Sequence, residues 1–284
     1  MRDIKTPVKP AAKPSPSTAA FVLRADNDGA DGVTTLTLNR PDELNALSEG
    51  MLAALQSEFD DIAGDRSVRV VILAGAGRAF CAGHNLKQMR ANYSHEYQQE
   101  LFATCSKMMQ SVLRLPQPVI AKVRGLATAA GCQLVATCDL AIAADDARLA
   151  TSGINVGLFC STPGVAVGRA VPRKHAMDLL LTGDFLAAPR AAEIGLINRA
   201  VPETRLDEEV GALAAKLARK SAHALALGKQ AFYRQLEMGI TDAYAFAGDE
   251  MARNMMDRDA AEGIDAFIQK RDPEWDQGPR DRED

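Results

Sequence analysis

Gly125-Leu126-Ala127-Thr128-Ala129-Ala130-Gly131-Cys132-Gln133-Leu134-Val135-Ala136 is the stretch on which the reading of this chain turns. It follows an aliphatic run, Val119–Val123, and joins a turn of small residues to the start of a helix. The first turn of a helix leaves backbone N–H groups without intrahelical partners at its positive end. Such donors can hold an anion or a developing oxyanion. Small residues in the same place also serve close packing of the backbone, so this stretch alone leaves both readings open.

Moving outward, short apolar runs alternate with helical stretches. Phe21–Arg24, Val33–Leu38, Val68–Ala74 and Val119–Val123 have the length and β-branched content of strands, with Leu140–Ala143 a weaker fifth. Met51, Leu52, Leu55, Phe59 and Ile62 fall at helical spacing, and Ser48 is placed to cap that helix. Glu96–Leu113 and Met177–Leu181 predict further helices. The last third predicts four more: Leu206–Lys220, His223–Met238, Asp242–Met256 and Ala260–Lys270. This order predicts an α/β core over 19–205 and a C-terminal helical region over 206–284. Residues 1–18 carry four prolines and read as a disordered leader, with a mitochondrial transit peptide as the alternative.

Composition removes several classes of function. The chain has 284 residues, 47% of them hydrophobic, which is enough for a sizeable core. A net charge of −4 provides no general basic field for nucleic acid. Gly125–Ala144 approaches the length of a membrane span, but Gln133, Asp139 and its many small residues make it buried core. The five cysteines have no Cys-x-x-Cys spacing and the four histidines no zinc spacing, so no metal site is expected. Reduced thiols and the lack of a secretory signal suggest the cytoplasm, with the mitochondrial matrix as the alternative. Gly75-Ala76-Gly77-Arg78-Ala79-Phe80 follows a strand but ends in Phe80 where a dinucleotide fingerprint needs glycine. Neither a phosphate-binding Gly-Lys-Ser/Thr nor a Gly-x-Ser-x-Gly elbow is present.

Several blocks, taken in order, resemble the crotonase (enoyl-CoA hydratase/isomerase) superfamily. They are Leu38-Asn39-Arg40-Pro41-Asp42-Glu43-Leu44-Asn45-Ala46-Leu47, Ala79-Phe80-Cys81-Ala82-Gly83-His84-Asn85-Leu86-Lys87, and the opening stretch extended through Cys138-Asp139-Leu140. Leu181-Thr182-Gly183-Asp184, Ala191–Asn198 and Gly263-Ile264-Asp265-Ala266-Phe267 complete the set. Leu158-Phe159-Cys160-Ser161-Thr162-Pro163-Gly164 is similar to the branch of enoyl-CoA hydratase domain-containing proteins. The resemblance implies a spiral of ββα units with a helical trimerisation region, assembled as a homotrimer or a dimer of trimers. It also implies an acyl-CoA substrate and no prosthetic group, coenzyme A entering as part of the thioester. The backbone N–H groups of His84 and Ala130 would hold the thioester carbonyl, and Leu44, Ala46, Ala82, Lys87, Lys270 and Arg271 would contact coenzyme A.

The chain departs from that pattern at two positions. A hydratase of this family carries two glutamates, and the matching positions here are Gln133 and Gly153. Gln cannot exchange a proton at neutral pH, and Gly has no side chain. The expectation is an acyl-CoA-binding, enoyl-CoA hydratase/isomerase-like protein with slow hydration. A decarboxylase or hydrolase on the same fold, and a non-catalytic acyl-CoA-binding or assembly module, are the alternatives. His84 and Cys160 are candidates for a substitute acid or base, and Asn155 for orienting a water. Asp139 is expected to be structural, and Asp60-Asp61 and Asp207-Glu208-Glu209 to be solvated.

Overall fold

A computed structural model describes residues 20–276; the expected leader, 1–18, lies outside them. Ten strands form two sheets. The larger runs β1 (Val22–Asp26), β2 (Val33–Leu38), β3 (Val70–Gly75), β5 (Val119–Val123), β7 (Leu140–Ala144), β10 (Arg199–Val201). The smaller runs β4 (Ala79–Cys81), β6 (Leu126–Thr128), β8 (Arg148–Ala150), β9 (Leu186–Ala187). All neighbours pair in parallel except β1 with β2 and β8 with β9. β3, β5 and β7 each lie in the large sheet and are followed by β4, β6 and β8 in the small one. Two strands and then a helix therefore make one turn of a spiral, as the resemblance implies.

The helices are α1 (Glu49–Gly64), α2 (Leu86–Ala91), α3 (His95–Arg114), α4 (Ala130–Thr137), α5 (Ser161–Ala170), α6 (Arg173–Thr182) and α7 (Ala188–Glu193). Beyond them come α8 (Leu206–Ala218), α9 (Ala222–Gln235), α10 (Ile240–Met255) and α11 (Arg258–Gln269). Ser48 caps α1 by accepting from the Met51 N–H, and all five apolar residues of its expected face are buried. Helix α6 starts four residues before the expected Met177, because Pro172 at its N-cap sets the boundary. The small sheet is missing from the sequence reading: its strands have only two or three residues, too few to establish a period of two.

Helix α8 buries Leu206, Val210 and Ala214 and packs on β3, β5 and β7. The core thus extends past residue 205, and unpartnered apolar side chains begin in α9. A buried ion pair fastens α9 to that core. Lys229 Nζ lies 2.7 Å from Asp139 Oδ2 and also donates to the Val112 and Gln117 carbonyls, each at 2.9 Å. The same carboxylate accepts from the Val119 N–H and the Tyr233 hydroxyl. Asp139 is therefore structural, as expected, and burial lowers the Lys229 ammonium below its ordinary range despite this partner.

Removing one member of such a pair strands the other charge. Lys229→Met should lower stability by about 3–5 kcal/mol. Adding Asp139→Asn should recover part of that loss, a comparison that urea unfolding of the two variants measures.

Candidate active site

Both loops singled out by the sequence converge on the N-terminus of α4. Gly131, in its first turn, sits against the backbone of β4, and a Cβ there would collide with the Cys81 carbonyl. Gly83 adopts φ +89°, and a Cβ on it would lie 2.9 Å from Ala129 Cβ and 3.2 Å from Ala130 N. Glycine at 83 and 131 is thus what lets the two loops touch. The Thr128 hydroxyl donates to the Ala82 carbonyl (3.0 Å), and the Ala82 N–H donates to the Leu44 carbonyl (3.0 Å). Three segments are laced together in this way.

The N–H groups of His84 and Ala130 have no hydrogen-bond acceptor among the described residues. Ala130 is 1% exposed and is the first residue of α4, so its N–H adds to the positive end of that helix. Ala129 before it is held at φ 49°, ψ −117°, a conformation that costs a non-glycine residue of order 1–3 kcal/mol. The bend turns the chain from β6 into α4 with the Ala130 N–H facing Gly83. The result is a pair of adjacent backbone donors, unsatisfied within the protein and fixed by packing.

The side chains around them are sparse in acid–base chemistry. Gln133, one turn along α4, is 5% exposed, and its Oε1 has no partner. His84 Nδ1 lies 3.3 Å from the Leu47 carbonyl, and its ring meets Phe102 edge-on with centroids 5.5 Å apart. That contact assigns the neutral ring an Nδ1–H and leaves Nε2 as an unprotonated, buried nitrogen without a partner. Burial pushes the imidazole pKa down. Cys160 is buried, and burial raises its thiol pKa. Asn155 is exposed and donates to the Gly183 carbonyl at 3.3 Å. Asp60 bonds the neighbouring Gln56, while Asp207 pairs with Lys122 and Arg124.

Gly153 is more than a missing side chain. A Cβ at that position would collide with the Leu158 carbonyl and lie 2.8 Å from Cys160 Sγ. The loop 157–160 fills the space a side chain at 153 would need. No sequence signal pointed to this, because the contact depends on how the loop folds back. Asn45 was also missed as a site residue. It is fully buried, adopts φ 53°, and ties Arg40 N–H to the carbonyls of Ala76 and Ala79. An Asn within the Pro-Asp-Glu-Leu-Asn turn was a usable hint, since Asn tolerates the left-handed region.

The residues expected to contact coenzyme A divide into two groups. Leu44, Ala46 and Ala82 lie at the loops, with their N–H groups bonded internally to Pro41, Glu43 and Leu44. Lys87 is exposed at the start of α2. Lys270 and Arg271 follow α11, which packs chiefly on α9 and α10. Arg271 there holds Glu262 through two contacts of 2.6 and 2.8 Å, an ion pair that keeps the Glu262 carboxyl at about 2. The structure does not bring these two tail residues to the loops. Among the described residues no cluster of His, Cys, Asp and Glu is arranged for a metal, and no helix is long and apolar enough to cross a membrane.

The sequence model of the family described as Enoyl-CoA hydratase/isomerase matches residues 28–278. The chain belongs to this family. Within it, the chain is 49% identical over 244 residues to the mitochondrial enoyl-CoA hydratase domain-containing protein 3 of Xenopus laevis, covering 86% of this chain and 83% of that one. A crystal structure of an enoyl-CoA hydratase from Mycobacterium smegmatis superposes with a TM-score of 0.87 at 57% identity, over 90% of this chain and 98% of the other. The human enoyl-CoA hydratase domain-containing protein 3 gives 0.86 at 45% identity, over 90% and 100%. The chain thus falls in the domain-containing branch of the crotonase superfamily, with the crotonase fold.

Because the loop 157–160 occupies the space beside Gly153, Gly153→Glu should destabilise the protein by about 1–3 kcal/mol, the ordinary cost of overpacking. Gly153→Ala should show the same sign, since the first added carbon already collides; thermal melts of both test this. His84 leads to a pH prediction. Its folded pKa lies below the ordinary value of about 6.5, so the unfolded chain takes up the proton first. Its contribution to stability is complete above that value and is lost as pH falls toward the lowered folded pKa. Between pH 7.5 and 5.5 the wild type should therefore lose more stability than His84→Phe, and equal losses in urea titrations would contradict this.

Proposed function

We propose that the protein binds an acyl-CoA thioester with its carbonyl oxygen on the N–H groups of His84 and Ala130. The observation that carries this reading is the pair itself: two adjacent donors, one nearly sealed from solvent at a helix N-terminus, with no acceptor of their own. Such donors stabilise the negative charge that develops on a thioester oxygen as its α-carbon becomes enolate-like. Each is worth on the order of 10²–10³ in rate where chemistry follows. Leu44, Ala46, Ala82 and Lys87 are the contacts proposed for coenzyme A from the same chain. Lys270 and Arg271 keep that role only if a second subunit presents them.

Gln133 and Gly153 supply no proton transfer, and a positioned acid or base normally contributes 10²–10⁴. Hydration should therefore be slow. The filled space at Gly153 favours one alternative in particular, a reaction that needs the enolate but no acid–base pair. In decarboxylation, the electron pair of the breaking C–C bond flows into the thioester and the oxyanion donors receive the charge. Assembly as a homotrimer or a dimer of trimers is supported by Phe232, Ile240, Tyr244, Met251, Phe267 and Ile268, all more than half exposed on α9–α11. The vertebrate relatives are named mitochondrial, which supports the matrix over the cytoplasm.

Calorimetry should give acetoacetyl-CoA a lower Kd than free CoA. Ala130→Pro removes the N–H at a position where helices accept proline, and it should erase the difference. Equal affinities in the wild type overturn the proposal. In the same preparation crotonyl-CoA should be hydrated at least about 10³-fold more slowly than by a family member with both glutamates. A rate of tens per second, ordinary for an enzyme, would mean that Gln133 and Gly153 have been misread.

A further inference from the structure

A cavity of about 1010 Å³ opens on the far side of Gln133, between α3, α4, α5 and α9. Its walls include Met109, Leu113, Val165, Leu196, Phe232 and Leu236. Val165, Phe232 and Leu236 are each more than half exposed, so large apolar surfaces face into it uncovered. The charged groups at its edge are already paired. Asp139 is consumed by Lys229, Tyr233 and the Val119 N–H, and Arg169 lies 3.5 Å from Glu237. What the cavity offers a ligand is therefore mainly apolar contact.

Its position relative to the donor pair is set by α4. Ala130 begins that helix, and Gln133 stands three residues on, about one turn away on the same side. Gln133 lines the cavity, as do Val135, Ala136 and Thr137 further along the helix. A chain attached to a carbonyl at Ala130 and running beside α4 thus passes Gln133 and enters the cavity within about 12 Å, the length of an eight-residue helix. A two- to four-carbon acyl group would end before reaching most of these walls.

We propose that this cavity receives the tail of the acyl group, so that the thioester taken by the site carries a saturated chain of eight carbons or more. This rests on the placement of the thioester at His84 and Ala130 proposed above, and it adds the length and polarity of the substrate. The occupant is a hydrocarbon chain because the cavity adjoins the donor pair at one end, is walled by aliphatic and aromatic carbon, and has no unpaired charge to satisfy.

The test is a calorimetric series on the full-length protein with butyryl-, hexanoyl-, octanoyl-, decanoyl- and dodecanoyl-CoA, each below its micelle concentration. Kd should fall about three- to fourfold per added methylene, the equivalent of about 0.8 kcal/mol for each buried CH₂, at least as far as eight carbons. Ala166→Phe, which fills the cavity from α5, should cut dodecanoyl-CoA affinity at least tenfold and leave butyryl-CoA within twofold. Should that variant melt early, Val165→Ser serves instead, since Val165 is 55% exposed and its replacement leaves the core intact. It should weaken dodecanoyl-CoA alone. A series that is flat from four to twelve carbons, while butyryl-CoA still binds better than CoA, overturns the tail cavity and spares the thioester site; the same flat series is expected if a second copy of the chain covers these walls. A length dependence that survives both substitutions also overturns it. Failure of butyryl-CoA to outbind CoA instead removes the thioester site on which the inference rests.

Discussion

The N-terminus of α4 rests on the backbone of β4 at a separation only glycine allows, and the organisation of the site depends on that contact. A side chain on Gly131 would meet the Cys81 carbonyl, and one on Gly83 would press on Ala129 and Ala130 N. With both absent, two loops from successive turns of the spiral meet and leave two N–H groups side by side. The bend at Ala129 is the conformational cost of that arrangement. The Thr128–Ala82–Leu44 hydrogen bonds hold the loops in register. A pair of donors fixed in this way needs no reorganisation when charge appears, which is the condition under which such groups stabilise a transition state most.

The rest of the site shows a division between backbone and side-chain chemistry. The backbone donors depend on fold geometry alone, so they persist whatever side chains surround them. Proton transfer depends on particular carboxylates, and here one position holds a neutral carboxamide and the other has been closed by the loop 157–160. That closure separates a simple substitution from a reshaped site. A glutamate at 133 would find a cavity ready for it, whereas a side chain at 153 would first have to displace Leu158 and Cys160. His84 does not fill the gap by its charge, because burial keeps its imidazole neutral at physiological pH.

The C-terminal helices continue the same logic at larger scale. Helix α8 belongs to the core of the large sheet, and the Asp139–Lys229–Tyr233 cluster ties α9 to the start of β7 and the end of α3. Beyond that clasp, α10 and α11 show apolar side chains outward, and Trp275 returns to donate to the Arg219 carbonyl at 2.8 Å. The buried ion pair thus decides where α9 stands, and with it one wall of the cavity beside Gln133.

Composition and periodicity were enough to identify the long strands, α1, α3 and the helical tail, because each spans enough residues for a repeat of two or 3.6 to be seen. The ordered blocks from Leu38 to Phe267 were enough for the family, and they located Gln133 and Gly153 as departures. The small sheet was invisible, since its strands of two or three residues are defined by their neighbours and not by a pattern of their own. The same holds for the collision at Gly153, the neutral Nε2 of His84 and the remoteness of Arg271 from the loops. Each depends on which distant segments come into contact, and a linear chain carries periodic patterns explicitly but encodes long-range contact only through the packing of the whole fold.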